Sequence, residues 1–306
     1  HGILEMGTDQ HFLLSGRTAI DWILQDIEQP IKNVYMPSYC CESMLQPFID
    51  RDIRIIFYNV IIKDGGIRYV IDYTKDVDVF FANSYFGYSS STMDFAIDNF
   101  KERNITVIED ITHRLLSKQN HSPKADYYAA SLRKWFPIPA GGFAAKNNNS
   151  FKKDTKYNPP HNLIEKKIAA MNQKAAYISS INNGDREDIE IKNNFLAQFS
   201  EFNANLLVNY RNFSIDCLSM QLLTDINISN IRSKRLENAK LLHDRLNKIG
   251  QIRLLFEELD VLEDCPLFVP ILVSRRYKKL LLCHLIENNI YAPAHWPIPL
   301  GITLTK

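Results

Sequence analysis

The sequence predicts an α/β protein in which helices sandwich a mostly parallel sheet, followed by a smaller α+β unit. Short β-branched and aromatic runs alternate with amphipathic helical stretches through residues 1–150, and long helical patterns follow. Such alternation is typical of βα units, whose parallel sheets are covered on both faces. In addition, polar residues cluster directly after several predicted strands, where sheets of this kind place their active sites.

The first half of the chain supplies the predicted sheet and its covering helices. Runs rich in Val, Ile, Phe and Tyr predict the strands, and apolar residues at helical spacing predict the helices. The predicted strands are Asn33–Met36, Ile53–Val60, Val77–Ala82, Ile105–Glu109, Asp126–Ser131 and Gly142–Ala145, and the helices are Thr18–Glu28, Ser43–Asp50 and Thr92–Glu102.

The sequence changes character after Lys146, where a polar stretch rich in Asn and Lys predicts an exposed loop. Long helices and then a small α+β unit are predicted beyond it, which places a boundary near residue 215. The expected domains are therefore a large one over 1–215 and a small one over 216–306. The elements predicted here are helices at Asn162–Ser179, Ile191–Asn209 and Ser214–Lys248, a strand at Pro266–Val273, a helix at Arg275–Asn288 and a strand at Ile290–Ala294.

Composition excludes several classes of protein. The 306 residues carry 36 Lys and Arg against 35 Asp and Glu, a net charge of +1 that argues against a nucleic-acid binder. No apolar run reaches the roughly 18–20 residues that a membrane span needs, and the first residues do not resemble a secretory signal. Five cysteines without framework spacing indicate reduced thiols, so a cytoplasmic protein is expected.

Common cofactor and metal motifs are missing from the sequence. It contains no GxGxxG, GxxxxGK[ST], HExxH or CxxC pattern, and its eight histidines are scattered. A dinucleotide fingerprint, a nucleotide-binding P-loop and a metal site are therefore not expected.

The first candidate loop is Ser15-Gly16-Arg17-Thr18, directly ahead of a predicted helix. The N-terminus of a helix offers free N–H groups and the positive end of the helix dipole, so this turn could bind a phosphate. The alternative is an ordinary helix cap by Ser15.

The second candidate loop follows the strand that ends in Glu109 and Asp110, with His113 three residues later. A carboxylate at the end of an apolar strand needs a partner, because an unpaired buried charge is costly. A protonated heterocyclic nitrogen or a cation would satisfy it. A helix-capping Asp with a surface His is the alternative.

The third candidate loop runs from Ser131 through Arg133 and Lys134 to the pair Gly141-Gly142. A lysine beside an arginine in a partly desolvated loop has its charged form disfavoured, as a nucleophilic amine requires. A solvated surface pair of cations is the alternative.

The order of these loops is what pyridoxal 5'-phosphate needs. This cofactor uses a lysine for its Schiff base, a carboxylate for its pyridinium proton and a helix N-terminus for its phosphate. The sequence here resembles the DegT/DnrJ/EryC1/StrS family of sugar aminotransferases, within the fold-type I pyridoxal-phosphate enzymes. The matching pieces span nearly the whole chain: SGRTAI, VYMPSY, VIEDITH, ADYYAASLRKWFPIPAGG and PLFVPILV…IYAPAHWPIP.

The resemblance implies a role for each matching residue. Lys134 would carry the cofactor and move the proton at the substrate carbon, and Asp110 would keep the pyridine nitrogen protonated. His113 would lie at the cofactor face or near its phenolic oxygen. The phosphate would be held by the remaining matches, Gly16, Arg17, Thr18 and Ser131.

The sequence also departs from the family pattern. Ser131 and Lys134 are three positions apart, whereas many members have two more residues between them, but the seven positions from Lys134 to Gly141 are the usual distance. Cys41 occupies the place expected for an aromatic residue that stacks on the cofactor, and Tyr39 is offset from it. Family members also commonly extend further beyond the equivalent of His295-Trp296-Pro297.

The sequence therefore predicts a pyridoxal-phosphate-dependent aminotransferase that aminates a keto-sugar, nucleotide-linked by analogy, with an amino acid such as glutamate as the donor. Two alternatives stay open: a lyase or dehydratase with the same cofactor, and a degenerate homologue used for binding or regulation. A homodimer is expected, because the helical residues carry much apolar surface and relatives complete each site from the partner chain, often with the segment matching Asn209-Tyr210-Arg211. The apolar residues are Phe195, Phe199, Leu206, Leu207 and Leu222.

Overall fold

The computed structural model describes residues 6–63, 65–89 and 91–296. The strands are β1 (Asp9–Leu13), β2 (Asn33–Pro37), β3 (Arg54–Lys63), β4 (Gly66–Val70), β5 (Val79–Asn83), β6 (Thr106–Asp110), β7 (Tyr127–Ser131), β8 (Gly142–Lys146), β9 (Arg253–Leu254) and β10 (Ile271–Leu272). The α-helices are α1 (Gly16–Asp26), α2 (Glu42–Ile49), α3 (Ser91–Glu102), α4 (His161–Asn182), α5 (Ile189–Val208), α6 (Cys217–Asp225), α7 (Ile228–Leu246) and α8 (Arg275–Glu287).

The chain divides into two compact units, each built from separate stretches of sequence. The first unit contains residues 1–30, 46–51 and 127–226, and the second contains 31–45, 52–126 and 227–306. The expected domains, 1–215 and 216–306, are continuous segments and stay a prediction.

The second unit contains the parallel part of the mixed sheet. Its strands lie in the order β6-β5-β2-β3-β4, in which β6, β5, β2 and β3 run parallel and β4 returns antiparallel to β3. All five residues of β5 are buried, as expected for a parallel strand covered on both faces. Helix α3 packs against β5 and β6 through its buried Met93, Ala96, Ile97 and Phe100. The predicted α/β class with a mostly parallel, helix-covered sheet is confirmed.

The first unit contains three antiparallel strands in the order β1-β8-β7. Helix α1 packs against β7 and β8, and α4 packs against α5. Buried side chains of α4, of α5 and of the loop residues packed against them form an apolar core: Leu14, Ala140, Leu163, Ile164, Phe202, Leu206 and Tyr210.

Several predicted elements change in the structure. The helix predicted over Ser214–Lys248 is two helices, because Asn227 leaves the helical conformation and its side chain accepts from the N–H of Asn230 as the cap of α7. The strand predicted over Pro266–Val273 is reduced to β10, whose one partner strand in the described part of the chain is β9. No strand forms over Ile290–Ala294. Strands β1, β4 and β9 were not predicted.

The described part of the chain contains no helix that is long and apolar enough to cross a membrane. The end of the C-terminal motif, from Pro297 onward, lies outside the described residues.

Candidate functional site

The start of α1 is capped by Ser15, which was the alternative interpretation of this loop. The side chain of Ser15 accepts a hydrogen bond from the N–H of Thr18 at 3.2 Å, so the helix begins at Gly16. A Cβ atom at Gly16 would lie 3.0 Å from the Cβ of Ser131, which is tighter than most real contacts. Glycine therefore lets the turn approach Ser131, and two of the residues predicted to hold a phosphate lie side by side.

The side chains of Arg17 and Thr18 are engaged within the protein. The hydroxyl of Thr18 donates to the carbonyl of Tyr210 at 2.8 Å, and an Nη of Arg17 donates to the carbonyl of Leu206 at 2.6 Å. The Arg17 guanidinium also lies 5.6 Å from the centroid of the Tyr210 ring. Both side chains thus tie α1 to the end of α5, a structural role that the sequence did not indicate.

Lys134 ends a short 3₁₀-helix, Leu132–Lys134, that directly follows β7. Leu132 is fully buried and anchors the turn, whereas the side chain of Lys134 is exposed. The side chain of Lys134 makes no hydrogen bond and no ion pair with any described residue. Its amine is therefore free to react with a ligand.

The pair Gly141-Gly142 has a packing reason in this chain. A Cβ at Gly142 would lie 2.0 Å from the carbonyl oxygen of Ser15, and one at Gly141 would lie 3.0 Å from the Cβ of Leu132. Only glycines allow β8 to approach both the α1 turn and the 3₁₀-helix this closely. The pair therefore fixes the predicted phosphate turn relative to the segment that carries Lys134.

Asp110 is the last residue of β6, in the second unit, and only 7% of it is exposed. One of its carboxylate oxygens accepts from the N–H of Thr112 at 2.9 Å. The parallel register places it opposite Asn83 at the end of β5. The structure thus places a buried carboxylate at the carboxyl end of a parallel strand, as the sequence predicted.

Glu109, next to Asp110, is completely buried. Its carboxylate accepts from Arg114 at 3.1 Å and from the N–H of Ser122 at 2.8 Å, and the same Arg114 nitrogen lies 3.2 Å from Asp94. Burial raises the pKa of Glu109 to about 7, although the Arg114 charge opposes the shift. This network fixes the turn after β6, and sequence reasoning missed it although a buried glutamate needs a partner.

His113 is buried among aromatic rings. Its ring stacks on Phe86 with 5.3 Å between centroids and on Trp296 with 5.6 Å. Tyr39 lies 4.9 Å from the Trp296 ring, while the Cys41 thiol lies 3.0 Å from the Ser43 hydroxyl. Aromatic rings of the second unit therefore surround His113. Position 41, where the family pattern has an aromatic residue, is a cysteine whose thiol faces Ser43.

The predicted site residues thus form two groups. Gly16, Arg17, Thr18, Ser131 and Lys134 lie in the first unit, and Asp110 and His113 lie in the second. No group of three or more His, Cys, Asp or Glu side chains in the described part of the chain could hold a metal ion.

Neither a protein-family profile nor a curated protein matches this sequence. Solved structures do match. A Helicobacter pylori aminotransferase involved in pseudoaminic acid biosynthesis is 17% identical, with a TM-score of 0.60 over 94% of this chain and 72% of its own. A DegT DnrJ EryC1 StrS aminotransferase from Brucella abortus is 13% identical, with a TM-score of 0.58 over 96% and 73%.

A third match is a putative sugar aminotransferase from Streptococcus pneumoniae in its PLP form. It is 16% identical, with a TM-score of 0.59 over 95% of this chain and 74% of its own. At these identities the likeness concerns the fold. The chain has the fold of the DegT/DnrJ/EryC1/StrS-type sugar aminotransferases.

Proposed function

We propose that the protein is a pyridoxal-phosphate-dependent aminotransferase that aminates a keto-sugar with an amino-acid donor such as glutamate. The observation that carries the proposal is the buried Asp110 carboxylate at the end of β6, in a fold shared with sugar aminotransferases. A buried carboxylate at the end of a parallel strand suits a protonated ring nitrogen, because the low-dielectric surroundings strengthen the interaction between the two charges. A nucleotide-linked sugar is the expected form of the substrate.

The residues of the first unit fit the phosphate of this cofactor. The close approach that Gly16 permits brings Ser131 beside the N-terminus of α1, where oriented N–H groups favour an anion. The side chains of Arg17 and Thr18 donate hydrogen bonds to backbone carbonyls. They would therefore hold the phosphate-binding turn in place and would not contact the phosphate. The phosphate itself would then depend on backbone N–H groups and Ser131.

The other residues would divide the chemistry between them. Bound pyridoxal phosphate supplies an electron sink for carbanion chemistry. Asp110 would hold a proton on the ring nitrogen and so strengthen that sink. The exposed amine of Lys134 would attach the cofactor and move the proton at the substrate carbon. His113, fixed between Phe86 and Trp296, would keep its ring in one orientation near the phenolic oxygen.

A visible absorption spectrum tests the proposal. Purified protein with added pyridoxal phosphate should gain an absorption band distinct from that of free cofactor, and glutamate should bleach that band as the amine is transferred. A spectrum identical to free cofactor would refute cofactor binding. A protein-bound absorption band that stays unchanged when amino acids are added would refute the proposed aminotransferase activity.

One observation favours a second candidate, a homologue that uses the fold for binding without turnover. Cys41 stands where an aromatic residue would stack on the cofactor, and its thiol lies against Ser43. The rings of the second unit pack on His113 instead. In that case the protein would bind the cofactor weakly and glutamate would leave its spectrum unchanged.

A cytoplasmic homodimer with a shared site is also part of the proposal. Phe195 and Leu206 are buried in the chain's own core, so they do not add to a surface. The side chains of Leu207, Val208 and Leu222 are 44%, 89% and 37% exposed, and they support an association surface. Sedimentation at micromolar concentration should show a dimer, and a monomer that binds the cofactor tightly would refute the shared site.

A further inference from the structure

Two cations of the first unit lie over one aromatic ring. The guanidinium carbon of Arg133 is 5.2 Å from the centroid of the Phe202 ring, and the ammonium nitrogen of Lys167 is 4.8 Å from the same centroid. Lys167 also lies 4.1 Å from the ring of Phe199. The two positive charges are therefore at most ~10 Å apart, between the 3₁₀-helix, α4 and α5.

No carboxylate in the described part of the chain pairs with either cation. The Nε atom of Arg133 is buried and has no hydrogen-bond partner. Glu201, which precedes Phe202 on α5, bonds at 2.5 Å to Lys166. The neighbouring lysine thus has a counter-charge, whereas Arg133 and Lys167 face further cations.

The electrostatics of the cluster are unfavourable without an anion. Burial, and then the charge of Arg17, lowers the pKa of Arg133 to about 10. Burial, followed by the charges of Arg133 and Lys174, lowers the pKa of Lys167 to about 8. A cation–π contact contributes only ~0.5–2 kcal/mol, and it does not satisfy the buried N–H of Arg133.

We propose that Arg133 and Lys167 bind an oxyanion, the phosphate or carboxylate group of a small ligand, beside the Phe202 ring. A guanidinium donates two parallel hydrogen bonds to such a group, and an ammonium adds a compact charge. The proposal does not depend on the proposed transferase activity, because its residues lie outside those assigned to the cofactor.

Calorimetric titration tests this site with inorganic phosphate and with acetate, at an ionic strength held constant with sodium chloride. The wild-type protein should bind at least one of them, and the affinity should fall at least about tenfold in Arg133→Gln and in Lys167→Gln. Lys166→Gln is the matched control, because Lys166 is the adjacent residue and already has an acidic partner; it should bind as the wild type does. Phosphate binding alone identifies a phosphate ligand, and acetate binding identifies a carboxylate.

Each titration is repeated with saturating pyridoxal phosphate, whose binding is followed by absorption. Oxyanion binding that persists supports a separate site. Binding that disappears overturns the proposal, because the anion then occupied the cofactor's own phosphate site. The absence of binding to the wild-type protein, or an equal loss in Lys166→Gln, also overturns it. If Arg133→Gln does not fold, Lys167→Gln decides the outcome, since Lys167 is half-buried at the side of α4.

Discussion

The ends of β6 and β7 differ in how their charged side chains are satisfied. At the end of β6, Glu109 and Asp110 are buried and accept hydrogen bonds from N–H groups of the turn that follows. At the end of β7, Arg133 and Lys134 have no ion pair among the described residues, and Lys134 is exposed. The chain itself thus organises the carboxylate end, whereas the cationic side chains at the end of β7 have no acidic partner among the described residues. The predictions below separate these two roles.

Replacing Lys134 should have the largest effect on activity. Lys134→Ala should reduce transamination by at least ~10³-fold, because it removes both the covalent attachment and the proton carrier. Stability should barely change, since the side chain is exposed and unpaired in the described structure. Lys124→Ala is the control, because the side chain of Lys124 is 57% exposed and forms an ion pair with the partly exposed Asp98.

Borohydride reduction followed by peptide mapping checks the same assignment directly. The reduced cofactor should be found on Lys134. Recovery of the label on Lys118, Lys124 or Lys146 would show that Lys134 is a surface cation.

Asp110→Asn should have the next largest effect. The amide oxygen of Asn can still accept from the N–H of Thr112, so the variant should fold and bind the cofactor. Transamination should fall by about 10²–10³-fold, because a neutral amide no longer holds the ring proton. Single-turnover rates with glutamate measure this effect. If the variant reacts at the wild-type rate, Asp110 only caps the turn after β6.

Glu109 should control stability rather than turnover. The pKa of its carboxyl is raised from 4.5 to about 7, so the folded state binds a proton more tightly than the unfolded state does. The free energy of unfolding should therefore fall as the pH rises from about 4.5 to about 7, by on the order of 3 kcal/mol, and be independent of this group outside that range.

Glu109→Gln should remove that slope, because an amide does not titrate. Arg114 would keep Asp94 as a charged partner in the variant. Urea unfolding at pH 5, 6 and 7 measures the difference between the two proteins. A slope that persists in Glu109→Gln would assign the titration to another group.

The sequence predicted best those elements whose signals are local. A helix cap by Ser15 was one of the two interpretations of the loop ahead of α1, and the alternation of apolar runs placed the parallel strands within a few residues. The break at Asn227 was missed because the apolar spacing continues on both sides of it, and only the cap geometry ends the pattern. Strand β4 was missed because it is a half-exposed edge strand with little apolar periodicity.

The sequence predicted which residues form the candidate site better than it predicted the contacts that those residues make. The position of Asp110 at a strand end follows from the sequence, because a carboxylate after an apolar strand is a local signal. The bond between Thr18 and Tyr210 joins residues 192 positions apart, and no local pattern indicates it. The same holds for the two cations over Phe202, because Arg133 of the 3₁₀-helix and Lys167 of α4 meet at a ring of α5 only in the folded chain.

The smallest expected effect concerns the contact that joins the α1 turn to the end of β7. In Gly16→Ala the new methyl group would lie 3.0 Å from the Cβ of Ser131, so the two segments must separate by a few tenths of an ångström. We expect a loss of about 1 kcal/mol in the free energy of unfolding, and weaker cofactor binding because Ser131 moves away from the helix N-terminus. Gly66→Ala is the control, since a Cβ there meets nothing within 4 Å and should leave stability unchanged or slightly raised. Unfolding midpoints and cofactor titrations of both variants measure the effect. Equal behaviour of the two variants would show that the approach of Gly16 to Ser131 does not shape the phosphate turn.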